Sequence, residues 1–231
     1  MESRCENCII RQLNALKALN KKQLKDISDT KIKKTFKKGE VLFEEGKQLD
    51  GVFCVKNGVS KLSKLSENGK DHIVKIATKG EVLGQRSVIT EEQTHLSAVA
   101  VNDMEVCFIP KNKLQNYLNT NPNFTKEVLV HLAQELKVSD AMIVNMAQKS
   151  VRQRLANVLI YFEDTFGTDT EGYILIVFSR EDISNLIGTA KEACIRALTG
   201  LKNEGVISTK GKKIKLENKK HLSAIVEGIE H

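Results

Sequence analysis

Nowhere do the 231 residues run apolar for the roughly eighteen positions a helix needs to cross a bilayer. That absence excludes a transmembrane helix. The opening residues, MESRCENCII, mix charge and polarity where a secretory signal would lead from a basic segment into an apolar one. A cytoplasmic protein with no membrane partner is the expectation. Cysteine is sparse and odd in number, five in all at irregular spacing, in a chain long enough to fold without staples. This favours free thiols over a disulfide framework. Catalytic signatures are missing too: there is no Walker loop, no G-x-S-x-G, no H-E-x-x-H and no paired carboxylates beyond ordinary surface charge. The chain is not expected to be an enzyme.

What the chain does have is positive charge, a net +7. Residues 17–38 hold nine lysines against Asp26 and Asp29, and residues 191–220 hold nine lysines and arginines against Glu192, Glu204 and Glu217. A basic run is usually a solvated face, so only its coincidence with a motif gives it meaning. The second run has such a motif.

The length fits two modest domains. Between 31 and 110, short apolar segments such as Val41/Phe43, Val52/Cys54 and Val59/Leu62 are broken by Gly39, Gly46, Gly51, Gly58, Gly69 and Gly80. That rhythm predicts an antiparallel sandwich or roll. Asn68-Gly69 predicts a tight hairpin between VSKLSKL and DHIVKIA. Proline occurs only twice, at 110 and 122, and both positions mark a change of period. From Phe124 through Val128, Leu132, Leu136, Ile143 and Met146 the apolar residues recur at helical steps, with Asn121 as the predicted N-cap and Pro122 at the first helical position. A stripe this long needs a cover. A second copy of the chain supplies one in a two-fold dimer, the alternative being packing on its own β-domain. Val151, Leu155, Val158, Leu159 and Phe162 predict a further helix ending near Gly167, and GYILIVFS (172–179) predicts a short strand after it.

The segment FSREDISNLIGTAKEACIRALTGLKNEGVIST (178–209) predicts two short amphipathic helices joined at Gly188. Ser179 and Asp182 are spaced as a capping box, Ile183, Leu186 and Ile187 face inward on the first helix, and Ala193, Leu198 and Leu201 line the second. This is helix-turn-helix spacing, in which the second helix lies in the DNA major groove. Thr189, Lys191, Glu192 and Arg196 fall at its N-terminal end, and Cys194 reads as a small core-facing residue. Glu192 and Arg196, four apart, share one face; their chemistry suits a cytosine amino group and a guanine edge. GVISTKGKKIKLEN (205–218) predicts a β-hairpin wing with Lys210, Lys212 and Lys213 at its tip, placed for phosphates. Double-stranded DNA is the expected partner.

With these motifs in place, the chain resembles the Crp/Fnr family of transcription regulators over nearly its whole length. KKGEVLFEEGKQLDGVFCVKNGVSKL resembles the family's first strands, the 124–149 helix its dimer helix, and SREDISNLIGTAKEACIRAL its recognition motif. The fold so expected is α+β: an antiparallel, jelly-roll-like β-roll effector domain over 1–120, a dimerisation helix over 121–149 and a winged helix-turn-helix domain over 150–231. The resemblance implies a homodimer on a pseudo-palindrome, with Arg196 and Glu192 reading a TGA-containing half-site. Lys191 matches a position often held by arginine, and Arg180 one that contacts the DNA backbone. Ile195 falls where half-site preference varies within the family. RNA polymerase is an implied partner.

Family members that bind cyclic nucleotides use a glycine-glutamate pair and a downstream arginine-serine pair as a phosphate cassette. Here VLGQRS puts Gly84 and Gln85 at the first pair, followed by Arg86 and Ser87, and HLSA puts Leu96 and Ser97 at the second, with His95 beside them. Leucine offers no charge and a neutral histidine little, so the effector is expected not to be cyclic AMP. The alternative is a redox, metal or haem gas sensor. Cys5 and Cys8 form one C-x2-C, with Cys107 as a distal partner for an iron–sulfur cluster, zinc or a thiol switch, and His95 or His131 are candidate haem ligands.

Overall fold

The computed structural model describes residues 4–67 and 69–229. The described residues divide into two compact units, one within 1–66 and 73–138, the other within 67–72 and 139–231.

In the first unit, short 3-10 turns over residues 5–18 lead into α1 (Lys21–Thr30), which a capping box of Asn20 and Gln23 opens. Then come β1 (Ile32–Phe36), β2 (Val41–Phe43), β3 (Gly51–Asn57), β4 (Ser60–Leu65), β5 (Asp71–Ala77), β6 (Val82–Leu83), α2 (Gln85–Thr90), β7 (Ser97–Ala100) and β8 (Met104–Pro110). They form two four-stranded sheets, ordered β1-β8-β3-β6 and β2-β7-β4-β5, which realise the expected antiparallel roll. Phe43, Phe53, Val55, Leu62, Ala98 and Val106 join one core drawn from both sheets. Gly58 shows why the turns need glycine: its φ is +92°, and a Cβ there would meet the Asp103 carbonyl oxygen at 2.6 Å. Gly51 differs from the other predicted turn glycines. It begins β3, and a Cβ would collide with the backbone of Ile109 on β8. The predicted hairpin at Asn68-Gly69 turns on Asn68, which lies outside the described residues. Asn14, 4% exposed, ties the opening turns to the roll by donating to the Gly80 carbonyl at 2.8 Å.

After α3 (Lys111–Thr120) comes α4 (Pro122–Gln148), a single helix of 27 residues. Asn121 caps it as expected, its side-chain oxygen accepting from the Phe124 amide at 3.1 Å. The apolar stripe divides along its length. Phe124 and Val128 are buried in the first unit's core, and Leu132 packs against it. Leu136, Val138 and Ile143 are 63%, 70% and 66% exposed.

The second unit takes the C-terminal part of α4, then α5 (Val151–Phe166), capped by Ser150 and Gln153. There follow α6 (Arg180–Leu186), α7 (Lys191–Asn203), a hairpin of β9 (Ile207–Lys210) and β10 (Lys213–Leu216), and α8 (Lys219–Glu227). The strand expected at 172–179 does not form. Ile174 and Phe178, four apart, both turn inward, and Phe178 stacks on Phe162 with ring centroids 4.3 Å apart. The backbone there makes only isolated bridges, Thr168 with Ile174 and Tyr173 with Lys215. The segment is apolar because it covers a helical core, not because it pairs in a sheet.

Arg154 on α5 holds this unit's helix ends together. Its Nε donates to the Ile187 carbonyl at 2.8 Å, and its Nη1 to the carbonyls of Lys149 at 2.6 Å and Met146 at 3.3 Å. It therefore satisfies the end of α6 and the end of α4 with one planar group. Arg154→Met should lower stability by about 2 kcal/mol, read as an earlier thermal unfolding midpoint by circular dichroism. Arg154→Lys should recover little of that loss, because an ammonium cannot reproduce the fork.

Candidate functional site

The helix-turn-helix is built as its sequence predicts. Ser179 and Asp182 complete the capping box of α6, and Gly188 turns the chain with φ +61°. Ile183, Leu186, Ile187, Leu198 and Leu201 are buried, as is Cys194, whose thiol burial pushes up to about 11. The opposite side of α7 is exposed at Lys191, Glu192, Ile195, Arg196 and Thr199. Lys191 lies 3.5 Å from Glu181. Glu192 and Arg196 stand at ion-pair spacing, yet among the described residues neither is paired, with the other or with anything else. Thr189 sits in the turn, its amide donating to the Ser184 carbonyl at 3.0 Å.

The hairpin predicted as a wing is present, but its three lysines are not equivalent. Lys210 is paired with Glu171 at 2.9 Å and Lys213 with Asp169 at 2.8 Å, whereas Lys212 at the tip is exposed and pairs with no described residue. Such surface pairs are worth little and exchange readily for stronger anions. Arg180 reaches toward the hairpin, its Nη2 donating to the Gly211 carbonyl at 3.4 Å, while its Nη1 is buried without a partner among the described residues.

The residues of the predicted cassette are dispersed. Gly84 takes φ +81° and opens α2, where a Cβ would meet the Leu49 side chain at 2.6 Å. Gln85 is half-buried and Ser87 buried. Leu96 packs against the core of the roll and offers nothing to a ligand. His95 is out on the surface, its side chain 72% exposed and 3.7 Å from Glu92, so it does not stand in for the missing arginine. The Ser97 hydroxyl is taken up by the Glu45 amide at 3.0 Å. Beside it lies a shallow groove of about 530 Å³ bordered by Glu45, Gly46, Gln48, Glu92, Thr94 and His95. The hydrogen bond from Lys64 holds the Glu45 carboxyl below its ordinary value. A groove edged by Glu45 and Glu92 opposes a phosphate.

Arg86 turns the other way, onto α4. Its Nη2 donates to Glu135 Oε2 at 3.2 Å, while Lys75 Nζ on β5 lies 2.5 Å from Glu135 Oε1 and 2.8 Å from Glu81 Oε1. Burial alone would push the Lys75 ammonium down and the Glu135 carboxyl up. The opposite charges outweigh it, leaving Lys75 raised and Glu135 lowered. Lys75, Glu81 and Glu135 were not foreseen as site residues. Lys75 and Glu81 lie within twelve residues of Arg86, but Glu135 is far off in sequence and only the packing of α4 on the roll brings it to them.

Cys54 and Cys107 face each other across β3 and β8, and Cys5 and Cys8 pack on the same core. Burial pushes the Cys54 thiol up to about 12 and raises Cys107 as well. Among the described residues no group of three or more His, Cys, Asp or Glu is placed to hold a metal ion. Cys5, Cys8 and Cys107 are thus not gathered into such a group, and His95 lies on the surface beside a carboxylate. No helix among the described residues is long and apolar enough to cross a membrane.

Comparison with known proteins matches both halves. Residues 33–121 fit the model of the cyclic nucleotide-binding domain, and residues 153–225 that of the Crp-like helix-turn-helix domain. The chain is 29% identical over 199 residues, 84% of each protein, to the Anaerobic regulatory protein of Bacillus subtilis (strain 168). It is 26% identical to the Fumarate and nitrate reduction regulatory protein of Yersinia pestis, over 96% of this chain and 89% of that one. A solved transcriptional regulator of the CRP/FNR family from Thermus thermophilus shares the fold with a TM-score of 0.73 and 22% identity, over 85% of this chain and 98% of the other.

Raised thiol pKa values have a direct chemical consequence, since alkylation consumes thiolate. At pH 8 the native protein should leave Cys54 and Cys194 unmodified by iodoacetamide, while denaturant should expose all five thiols, as peptide mass mapping would read.

Proposed function

The chain belongs to the Crp/Fnr family of DNA-binding transcription regulators, and from that premise we propose that it grips a pseudo-palindromic operator as a homodimer and reads each half-site with α7. The observation that carries this reading is the unanswered pair on that helix. An i,i+4 glutamate and arginine on an ordinary surface close on each other. Glu192 and Arg196 instead leave an acceptor for a cytosine amino group and a forked donor for guanine O6 and N7. Those are the chemistries that a TGA-containing half-site requires of the two residues. Thr189 and Lys191 flank them at the start of α7, where a helix favours anions.

The phosphate contacts fall to Arg180 and the wing. A partly buried guanidinium with one nitrogen lacking a partner gains from an incoming phosphate what the protein does not give it. Lys212 is ready as it stands, and Lys210 and Lys213 exchange Glu171 and Asp169 for DNA. Dimerisation covers the exposed portion of α4, since Leu136 and Ile143, seven apart on one face, lie there without a cover. The signal received by the β-roll is not cyclic AMP: Leu96 packs against the core, His95 is on the surface, and the adjoining groove is edged by carboxylates. The output passes to RNA polymerase in the cytoplasm.

Selection from random duplexes should return a two-fold-related site with TGA half-sites about one helical turn apart. Against that site Arg196→Ala should cost about 1–3 kcal/mol and relax one base pair, whereas Lys212→Ala should weaken all sequences alike and reduce the salt slope by about 1. Arg196→Ala protein with unchanged affinity and preference would remove α7 from the reading role. Ile143→Glu should shift the protein to monomer in sedimentation and cost DNA affinity; a dimer unaffected by that charge would place the interface elsewhere.

A further inference from the structure

A family fold in which small anions are held by a basic side chain raises the question of what Lys75 and Arg86 do here, where the cassette arginine is absent. Both are aimed at the same carboxylate. Glu135 presents one oxygen to each cation, Oε1 to Lys75 and Oε2 to Arg86, much as a bound carboxylate or phosphate would. The Lys75 and Glu135 side chains are only 26% and 21% exposed, so water screens their pairing little, although Arg86 at 56% remains accessible. Glu81 supplies Lys75 with a second carboxylate from the turn before β6, which fixes the ammonium on the roll side. Glu135 comes from α4, the helix that runs on without interruption to Gln148.

We propose that Glu135 is a built-in anion, a carboxylate of the chain itself that clamps α4 to the β-roll through Lys75 and Arg86 and so replaces a diffusible anionic effector. The protein then holds its DNA-competent arrangement without a soluble anion, and loosening this clamp is what switches it off. Because a ligand changes an equilibrium only through its different affinities for two states, a tethered anion biases the clamped state permanently. The inference rests on the regulator reading for its main readout, and a second readout is independent of DNA.

The test compares wild type with Glu135→Ala, Glu135→Gln and Arg86→Gln, using an operator selected with wild-type protein and amide hydrogen exchange over residues 126–138. Glu135→Ala and Glu135→Gln should each lose about tenfold in DNA affinity and exchange faster in that stretch, with Arg86→Gln moving the same way by less. Sodium acetate, against sodium chloride at equal ionic strength, should restore Glu135→Ala in both readouts. It should leave Glu135→Gln unrestored, because the amide still fills the space, and wild type unchanged, because the place is taken. Variants that bind and exchange like wild type would overturn the clamp, and so would a loss that acetate does not restore. If Glu135→Ala fails to fold, unchanged affinity and exchange in Glu135→Gln and Arg86→Gln would overturn it equally. Wild-type protein that selects no operator would instead sink the regulator reading, leaving hydrogen exchange and its response to acetate to judge the clamp.

Discussion

Helix ends leave carbonyl groups without partners, and three of them converge on the guanidinium of Arg154. The Ile187 carbonyl closes α6, and those of Met146 and Lys149 close α4. Everything the second unit does depends on α6 being held at a fixed angle to α5, because α6 positions the turn at Gly188 and the turn positions α7. The stacked rings of Phe162 and Phe178 and the buried Leu155, Leu159 and Ile183 supply most of the cohesion, but apolar contact has little direction. The arginine supplies the direction. It is a polar fastening inside a hydrophobic assembly, and its loss would leave buried carbonyls unsatisfied as well as helices unanchored.

Charge is handled in opposite ways on α7 and around Glu135. On α7 the glutamate and arginine stand apart and face water. Around Glu135 the charges are answered within the protein, and Lys75 and Glu135 lie where water reaches poorly. Both patterns use glutamate and arginine, with lysine added around Glu135. What separates them is desolvation: a half-buried cation must be neutralised where it lies, whereas an exposed one can wait.

Much of this was legible in the sequence because the signals were local. Glycine spacing gave the roll, Asn121-Pro122 the start of α4, and Ser179-x-x-Asp182 the start of the helix-turn-helix, each through chemistry within a few residues. The strand expected at 172–179 failed because a continuous apolar run does not say whether it pairs in a sheet or covers helices. His95 was adjacent to the cassette in sequence but faces solvent, since the direction of a loop side chain is set by contacts elsewhere. The Lys75, Glu81, Arg86 and Glu135 cluster spans sixty residues of sequence and two layers of the unit, so no spacing rule reaches it. Helix α8, capped by Asn218 and anchored by Leu222 and Ile225, is nine residues long, too short for a helical period to stand out in the sequence.

The uncovered half of α4 has a consequence for the protein's own abundance. On the proposed dimer, with a second copy as the cover for Leu136 and Ile143, folding and association share one mass-action equilibrium, and the fraction assembled rises with copy number. On that dimer, a cell that makes little of this chain would hold it as separate copies, each less stable than the pair. One that makes more crosses a threshold beyond which additional copies protect one another, so the rate of synthesis becomes an input to the regulator alongside any chemical signal.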